Sequence, residues 1–377
     1  MNRPAGSPDA VRPVRRRAFR VLTVVVSVIV TLCALELLIR AGYYFQHPLR
    51  PPQSILDRQL GWVSAPGLEI SYDKKGYGPV NYSTDAHGFR RAGDTGAEKV
   101  RLFAIGDSTT QAIQVSDGKT YFDHLADNDE RLEVFAYGVG GYGPLQHRLA
   151  LERHIDRIDP QIVLWQLCAN DLINSDFVLE SRSNRSNNHM TRPFLEDGRI
   201  VFRHPDGWLG SLAVLSYVFR RLAVLRGSIA KRTVGSIENE LEPEHPDLER
   251  ALATMKTVIS GAIREEPDRV FVAFNAFGND PREFERYVFD ELCEIPELHC
   301  VTGIEQRLDE ARAAGLVVDG GFDAHWNERG HAIAGQTILD YLQTRGLIDA
   351  SLPSFDRGLE AGQEVGDSTL ATAPIFR

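Results

Sequence analysis

The stretch VRLFAIGDSTTQA, residues 100–112, changes abruptly from apolar to small polar residues. Residues 100–105 have the length and composition of a buried strand, and Gly106 allows the backbone to turn tightly after it. Ser108 follows two residues later. Its hydroxyl could cap the next helix, because serine at a helix start accepts a hydrogen bond from a free N–H. It could instead be an exposed nucleophile. The stretch alone favours the cap.

Four more apolar runs of strand length follow along the chain. They are LEVFAY (132–137), IVLWQL (162–167), RVFVAF (269–274) and HCVTGI (299–304). Segments with helical spacing alternate with them, near residues 119–127, 144–155, 245–263 and 330–346. This alternation predicts an α/β fold, with a parallel sheet of about five strands covered on both faces. In such a sheet the functional site lies at the carboxyl ends of the strands.

Small polar residues and glycines follow the first three of these strands directly. Residues 106–108 (GDS) follow the first strand, residues 138–143 (GVGGYG) the second, and residues 170–171 (ND) the third. Because the strands are expected to be parallel, these three segments should meet at one edge of the sheet.

A later stretch, GGFDAHWNERGH (320–331), bears on the role of Ser108. A serine hydroxyl is a poor nucleophile unless a base takes its proton, and that base needs an acid to hold its tautomer. Asp323 and His325 lie two residues apart in a glycine-flanked loop before the last helix. They are the predicted acid and base. His331 is interpreted as a structural residue at the helix start, and His87 is the next rival for the base.

A tetrahedral intermediate also needs hydrogen-bond donors where its negative charge develops. Gly141 can supply a backbone N–H with no side chain to block the substrate. Asn170 can supply a side-chain amide. The N–H of Ser108 is a third candidate, because a helix start favours an anion.

These residues resemble, in their order along the chain, the conserved blocks of the GDSL or SGNH hydrolase family. The matching segments are Gly106-Asp107-Ser108, Gly141, Asn170-Asp171 and Asp323-x-His325. The resemblance covers about residues 81–343 and includes NYSTDAHGFR (81–90), which looks like the lead-in of membrane-anchored bacterial members. It implies a flavodoxin-like three-layer α/β/α sandwich. It also implies catalytic roles: Ser108 as nucleophile, His325 as base, Asp323 as acid, and Ser108, Gly141 and Asn170 as the oxyanion hole.

Two departures from the family pattern leave the reaction open. Ala169 replaces a glycine that usually precedes the asparagine, and the last block is D-x-H where D-x-x-H is usual. The shorter block resembles relatives that acetylate exopolysaccharides. The hypotheses are therefore an esterase acting on an acylated, O-acetylated glycan or lipid, an O-acyltransferase accessory for a cell-envelope polysaccharide, or a domain that has lost activity. The intact set of site residues argues against the third.

Neither a nucleotide cofactor nor a metal is expected. GVGGYG formally matches a dinucleotide-binding pattern, but the next strand ends too far along to supply the acid about 20 residues on that such a site requires. The chain has no C-x-x-C pair, and His325 and His331 lack the i, i+4 spacing of a zinc helix.

The charge distribution predicts a membrane anchor rather than a nucleic-acid surface. The net charge of −10 argues against binding nucleic acid. Residues 1–20 nevertheless carry six arginines against one acid, and the fifteen residues from Val21 to Leu35 are uncharged. A run of about 20 mostly apolar residues can cross a bilayer, and basic flanks stay in the cytoplasm. A cleaved signal peptide and a buried helix are the alternatives. Glu36 is costly in an anchor, although it lies near the outer end.

The predicted organisation has five parts. They are a cytoplasmic basic tail (1–20), a transmembrane anchor (21–40) in the inner membrane, an irregular membrane-proximal segment (41–98), an extracytoplasmic hydrolase-like domain (99–349) and a flexible tail (350–377). An insertion at 175–240 includes a predicted hairpin at Asp197-Gly198 and a helical piece at 212–225. It could carry substrate contacts or be a passive lid or membrane-resting helix. Cys293 and Cys300 could form a disulfide or be two buried thiols.

Overall fold

The computed structural model describes residues 11–46, 53–183, 190–204, 237–278, 281–321 and 325–349. Helix α1, Val11–Gln46, contains the predicted anchor 21–40 and is longer than it at both ends. Among the helices in the described ranges, none meets the combined requirements of length and apolarity for crossing a bilayer. The predicted helix at 212–225 and the tail 350–377 lie outside the described residues.

In the described part of the chain, eleven strands follow α1. They are β1 (Ser54–Asp57), β2 (Gly61–Ser64), β3 (Glu69–Lys74), β4 (Gly78–Ser83), β5 (Val100–Gly106), β6 (Leu132–Gly138), β7 (Ile162–Leu167), β8 (Arg192–Glu196), β9 (Arg199–Arg203), β10 (Val270–Asn275) and β11 (Leu298–Val301). Five of them form the central sheet in the order β11-β10-β7-β5-β6, and every pairing in it is parallel. The structure thus confirms the predicted five-stranded parallel sheet.

Burial of both sheet faces explains why these strands read as continuous apolar runs. All six residues of β7 are buried. Gly106 at the end of β5 pairs in register with Gly138 at the end of β6. The loops that follow these two strands therefore leave the sheet side by side.

Helices cover both faces of the sheet. Besides α1, the α-helices among the described residues are α2 (Ser108–Gln111), α3 (Tyr121–Asn128), α4 (Pro144–Ile158), α5 (Asp171–Asn174), α6 (Phe177–Arg182), α7 (Pro246–Glu265), α8 (Glu283–Cys293), α9 (Ile304–Ala313) and α10 (Glu328–Thr344). One apolar core contains side chains of α4, α7 and α8, and the other contains side chains of α3, α9 and α10. The arrangement is a three-layer α/β/α sandwich.

Strands β1–β4 form two antiparallel hairpins, β1–β2 and β3–β4, which we call the N-terminal hairpins. The prediction of an irregular segment is wrong for this part of the chain. Leu60, Trp62 and Phe89 are buried in the core shared with α4 and α7. The Arg91 backbone forms an antiparallel bridge with Ala136 of β6. This region is therefore packed into the α/β domain and is not a linker to it.

Two further features concern predictions in the second half of the chain. Strands β8 and β9 pair as an antiparallel hairpin with Asp197 and Gly198 at its turn, as predicted for the insertion. Cys293 and Cys300 form a disulfide between the end of α8 and strand β11. The β8–β9 hairpin places Arg192, the first residue of β8, next to the loop after β6. Arg192 is fully buried.

Candidate active site

The turn after β5 places Ser108 at the first position of helix α2. Asp107 is the N-cap, and its carboxylate accepts a hydrogen bond from the Thr109 N–H at 3.3 Å. The reading of Ser108 as the cap is therefore wrong, and its hydroxyl is released for another role. The turn also needs Gly106, because a Cβ there would lie 2.3 Å from Gln166 Oε1.

Ser108 and His325 are in direct contact, although they lie 217 positions apart in the sequence. The distance from His325 Nε2 to Ser108 Oγ is 2.8 Å, within the range for proton transfer between a nucleophile and its base. Both side chains are half-buried, so a substrate can reach them. His87, the rival histidine, is exposed in a turn and its backbone N–H is held by Asp85.

The backbone on both sides of His325 is held in place. Asn327 caps helix α10 by accepting hydrogen bonds from two N–H groups of the first turn. The His325 carbonyl accepts a hydrogen bond from the Gly320 N–H at 3.3 Å. It accepts a second from the Tyr77 hydroxyl at 2.9 Å. Tyr77 lies in the turn between β3 and β4, so an N-terminal hairpin supports the loop of the histidine.

Asn170 lies after β7 and is oriented by a thiol. Its Oδ1 is within hydrogen-bond distance of the Cys168 Sγ, which also lies 2.9 Å from Asp107 Oδ2. The Oδ1 atom is thus engaged toward the protein, while Nδ2 makes one long contact, 3.4 Å, to the Tyr142 carbonyl. The amide nitrogen is the group left to donate to a ligand. The Cys168–Asp107 contact ties the ends of β5 and β7 together.

Buried charge explains the state of the groups beneath the site. Desolvation, with the nearby Asp107 carboxylate, raises the pKa of Asp171 well above its usual range. Desolvation and the carboxylates of Asp107 and Asp171 likewise raise the pKa of the Cys168 thiol. Cys168 therefore stays protonated, and its S–H can donate a hydrogen bond. A protonated thiol is also a poor nucleophile, because the thiolate is the nucleophilic form of cysteine.

The loop after β6 brings the Gly140–Gly141 peptide beside Ser108. A Cβ built on Gly140 would lie 3.8 Å from Ser108 Cβ. Gly141 has a φ of +79°, a conformation that glycine adopts without strain. The Gly140 N–H donates to Gln111 Oε1 at 2.9 Å, and the Gly141 carbonyl accepts from buried Arg192 at 2.8 Å. The loop is therefore rigidly held.

The structure brings together four of the five predicted site residues, namely Ser108, Gly141, Asn170 and His325. The fifth, Asp323, lies outside the described residues and stays a prediction. His331 is fully buried and stacks on Tyr121, which agrees with its structural interpretation. Among the residues that the structure describes, no group of three His, Cys, Asp or Glu side chains could hold a metal ion.

Sequence reasoning missed three residues that contact the site, Trp62, Tyr77 and Arg192. Each lies far along the chain from its partner, and two belong to the segment that was predicted to be irregular. The aromatic content of that segment is the sequence signal for Trp62 and Tyr77, and Arg192 lies in the insertion 175–240.

Comparison with solved structures finds similarity to lipolytic proteins and esterases. A member of the lipolytic protein G-D-S-L family from Veillonella parvula DSM 2008 is 13% identical, with a TM-score of 0.38 over 64% of this chain and 98% of that chain. The psychrotrophic esterase EstA from Pseudoalteromonas sp. is 11% identical, with a TM-score of 0.38 over 66% and 100%. Axe2, an acetylxylan esterase from Geobacillus stearothermophilus, is 12% identical, with a TM-score of 0.37 over 65% and 94%. No family model and no curated protein matches the chain.

Proposed function

We propose that this protein is a serine esterase that acts on an acylated, O-acetylated glycan or lipid. The observation that carries the proposal is the 2.8 Å contact between Ser108 Oγ and His325 Nε2. Ser108 follows the carboxyl end of β5, and open parallel sheets bind their ligands at the carboxyl ends of their strands. A hydroxyl paired with an imidazole at this distance is an activated nucleophile.

The reaction proceeds through an acyl-enzyme. His325 Nε2 takes the proton as Ser108 Oγ attacks the acyl carbonyl carbon, and the carbonyl oxygen becomes an oxyanion. The Gly141 N–H, the Asn170 Nδ2 and the Ser108 N–H donate hydrogen bonds to that oxyanion. The intermediate collapses as His325 returns the proton to the alcohol that leaves. His325 then takes a proton from a water molecule, which attacks the acyl carbon. As the ester bond breaks, His325 returns that proton to Ser108 Oγ, and the carboxylic acid is released. Asp323 orients the imidazole in this scheme.

One sequence feature supports a second candidate, an O-acyltransferase that uses the same residues. The D-x-H spacing of Asp323 and His325 resembles relatives that acetylate exopolysaccharides. In this reaction a sugar hydroxyl of a cell-envelope polysaccharide replaces water in the second half. The two candidates differ in the acceptor alone.

A serine-directed probe tests the shared chemistry. A fluorophosphonate is expected to label the wild-type protein and to leave Ser108→Ala unlabelled. The control is Ser116→Ala, which should remain labelled; Ser116 is half-buried and its hydroxyl accepts a hydrogen bond from the Asn81 N–H. Folded wild-type protein that takes no label would contradict both candidates and favour an inactive domain. Acetate release from an acetylated glycan, with and without an unacetylated oligosaccharide acceptor, separates esterase from transferase.

We propose separately that residues 21–40 anchor the protein in the inner membrane, with the N-terminus in the cytoplasm and the catalytic domain outside. The uncharged run Val21–Leu35 lies within one helix, and its large apolar side chains are exposed, which supports burial in lipid. The Cys293–Cys300 disulfide supports an oxidising compartment for the domain. Protease added to the outside of spheroplasts is expected to digest the domain. Digestion only after the cells are opened would contradict this topology.

A further inference from the structure

The carbonyl of the Gly140–Gly141 peptide is held by a residue of the N-terminal hairpins. The Trp62 Nε1–H donates to the Gly140 carbonyl at 3.1 Å. The chain has no cis peptide bond in its described part, so this carbonyl and the Gly141 N–H point in opposite directions across one planar unit. A hydrogen bond that fixes the carbonyl therefore also fixes the direction of the N–H.

We propose that Trp62 is a positioning residue for the oxyanion hole. Its indole N–H holds the Gly140–Gly141 peptide so that the Gly141 N–H faces the tetrahedral intermediate on Ser108; the role rests on the proposed esterase function. No described residue accepts a hydrogen bond from the Gly141 N–H, which leaves it available to a substrate. Donation to the carbonyl also polarises the amide and strengthens its N–H as a donor.

Trp62 is itself held rigidly, as a positioning residue must be. Its side chain is 1% exposed. The Tyr142 hydroxyl donates to the Trp62 backbone carbonyl, and the two rings meet edge to face with centroids 5.6 Å apart. The Arg192 guanidinium lies over the indole at 5.1 Å from the ring centroid. The donor is thus in place before substrate arrives, which is the condition for electrostatic stabilisation of a transition state.

A pair of matched substitutions tests the role. Trp62→Phe removes the N–H and keeps an aromatic ring. Trp165→Phe is the control, because Trp165 is also fully buried and its Nε1–H also donates at 3.1 Å, to His147 Nδ1. Rates on an acetyl ester are expressed per active site titrated with a fluorophosphonate, so that misfolded protein does not count. A boronic acid that forms a tetrahedral adduct with Ser108 is measured alongside.

Trp62→Phe is expected to lower kcat roughly tenfold, less than the ~100-fold loss from removing an oxyanion donor outright. KM should stay within about twofold, while the boronic acid Ki rises in parallel with the loss in kcat, because only the tetrahedral species uses the donor. Trp165→Phe should keep kcat and Ki within about twofold of wild type. Wild-type kcat and Ki in Trp62→Phe would overturn the role of Trp62 alone. Absence of Ser108-dependent activity in the wild type would overturn the esterase function together with it.

Discussion

The Tyr77 hydroxyl donates to the backbone carbonyl of His325 at 2.9 Å, across 248 residues of sequence. A hairpin near the N-terminus thus supports the loop of the proposed base, which belongs to the C-terminal part of the domain. Gly320 allows this approach, since a Cβ there would lie 2.3 Å from the Tyr77 ring.

Replacing Tyr77 with phenylalanine should loosen the His325 loop without changing any group that touches substrate. We expect kcat to fall roughly three- to tenfold, because small displacements of a catalytic group are costly. Steady-state kinetics on an acetyl ester measure this effect. Tyr341→Phe, on helix α10, is the control and should keep the wild-type rate. Unchanged kcat in Tyr77→Phe would show that the contact does not position the base.

His325→Ala should reduce kcat by at least about 1,000-fold, since nucleophile and base act as a unit. His87→Ala, which removes the exposed rival histidine, should leave the rate unchanged. Both are compared with wild type by initial rates of ester hydrolysis. If His325→Ala retains near-normal activity, the assignment of the base is wrong.

Asn170→Ala removes a proposed oxyanion donor and should lower kcat about 100-fold with little change in KM. The matched control is Asn128→Ala, because the exposed Asn128 amide donates to the His124 carbonyl, away from the site. If KM rises while kcat stays unchanged, Asn170 contributes to binding of the substrate ground state instead.

The buried His331 should make the protein less stable in acid. Desolvation lowers its pKa from 6.5 to about 3, and its Nδ1 accepts the Tyr121 N–H at 3.2 Å, so a proton there would face a donor. The unfolded state therefore binds more protons than the folded state between pH 6.5 and 3. Stability is full above pH 6.5 and falls as the pH drops, by about 2 kcal/mol at pH 5.

His331→Asn keeps a hydrogen-bond acceptor but cannot take up a proton in this pH range. The variant should therefore lose the part of the acid sensitivity that is due to His331. Urea unfolding at pH 7 and pH 5 measures it, with His87→Asn as the control for an exposed histidine. Burial also lowers the pKa of His147 to about 4 and that of His154 to about 3, so some acid sensitivity should remain. A variant as acid-sensitive as wild type would contradict the role given to His331.

The double variant Cys293→Ser, Cys300→Ser should lower the free energy of unfolding by about 2 kcal/mol, because the short loop gains entropy when the unfolded chain is no longer cross-linked. Denaturant unfolding measures the difference, and Cys33→Ser should match wild type. A reductant should destabilise the wild type and leave the double variant unaffected. Equal stability of the two in oxidising buffer would contradict the prediction.

The central sheet could be predicted closely because its pattern is local. The predicted strand 162–167 coincides with β7, and the run 100–105 differs from β5 by one residue. The N-terminal hairpins could not be predicted in this way. Strand β2 has only four residues, and three of them are buried, so it shows no alternation. Its pairing partner and its place in the core depend on the rest of the fold.

The sequence by itself determined the five-stranded parallel sheet and the identity of Ser108, Asn170 and His325 as candidates, because apolar periodicity and residue chemistry are properties of short segments. Only the tertiary structure decided that Asp107 rather than Ser108 caps α2, that Ser108 meets His325 at 2.8 Å, and that Trp62 and Tyr77 hold the two sides of the site. The contacts of Ser108, Trp62 and Tyr77 join residues 78 to 248 positions apart. Distances of that kind arise from the packing of hairpins, sheet and loops, which no local pattern specifies.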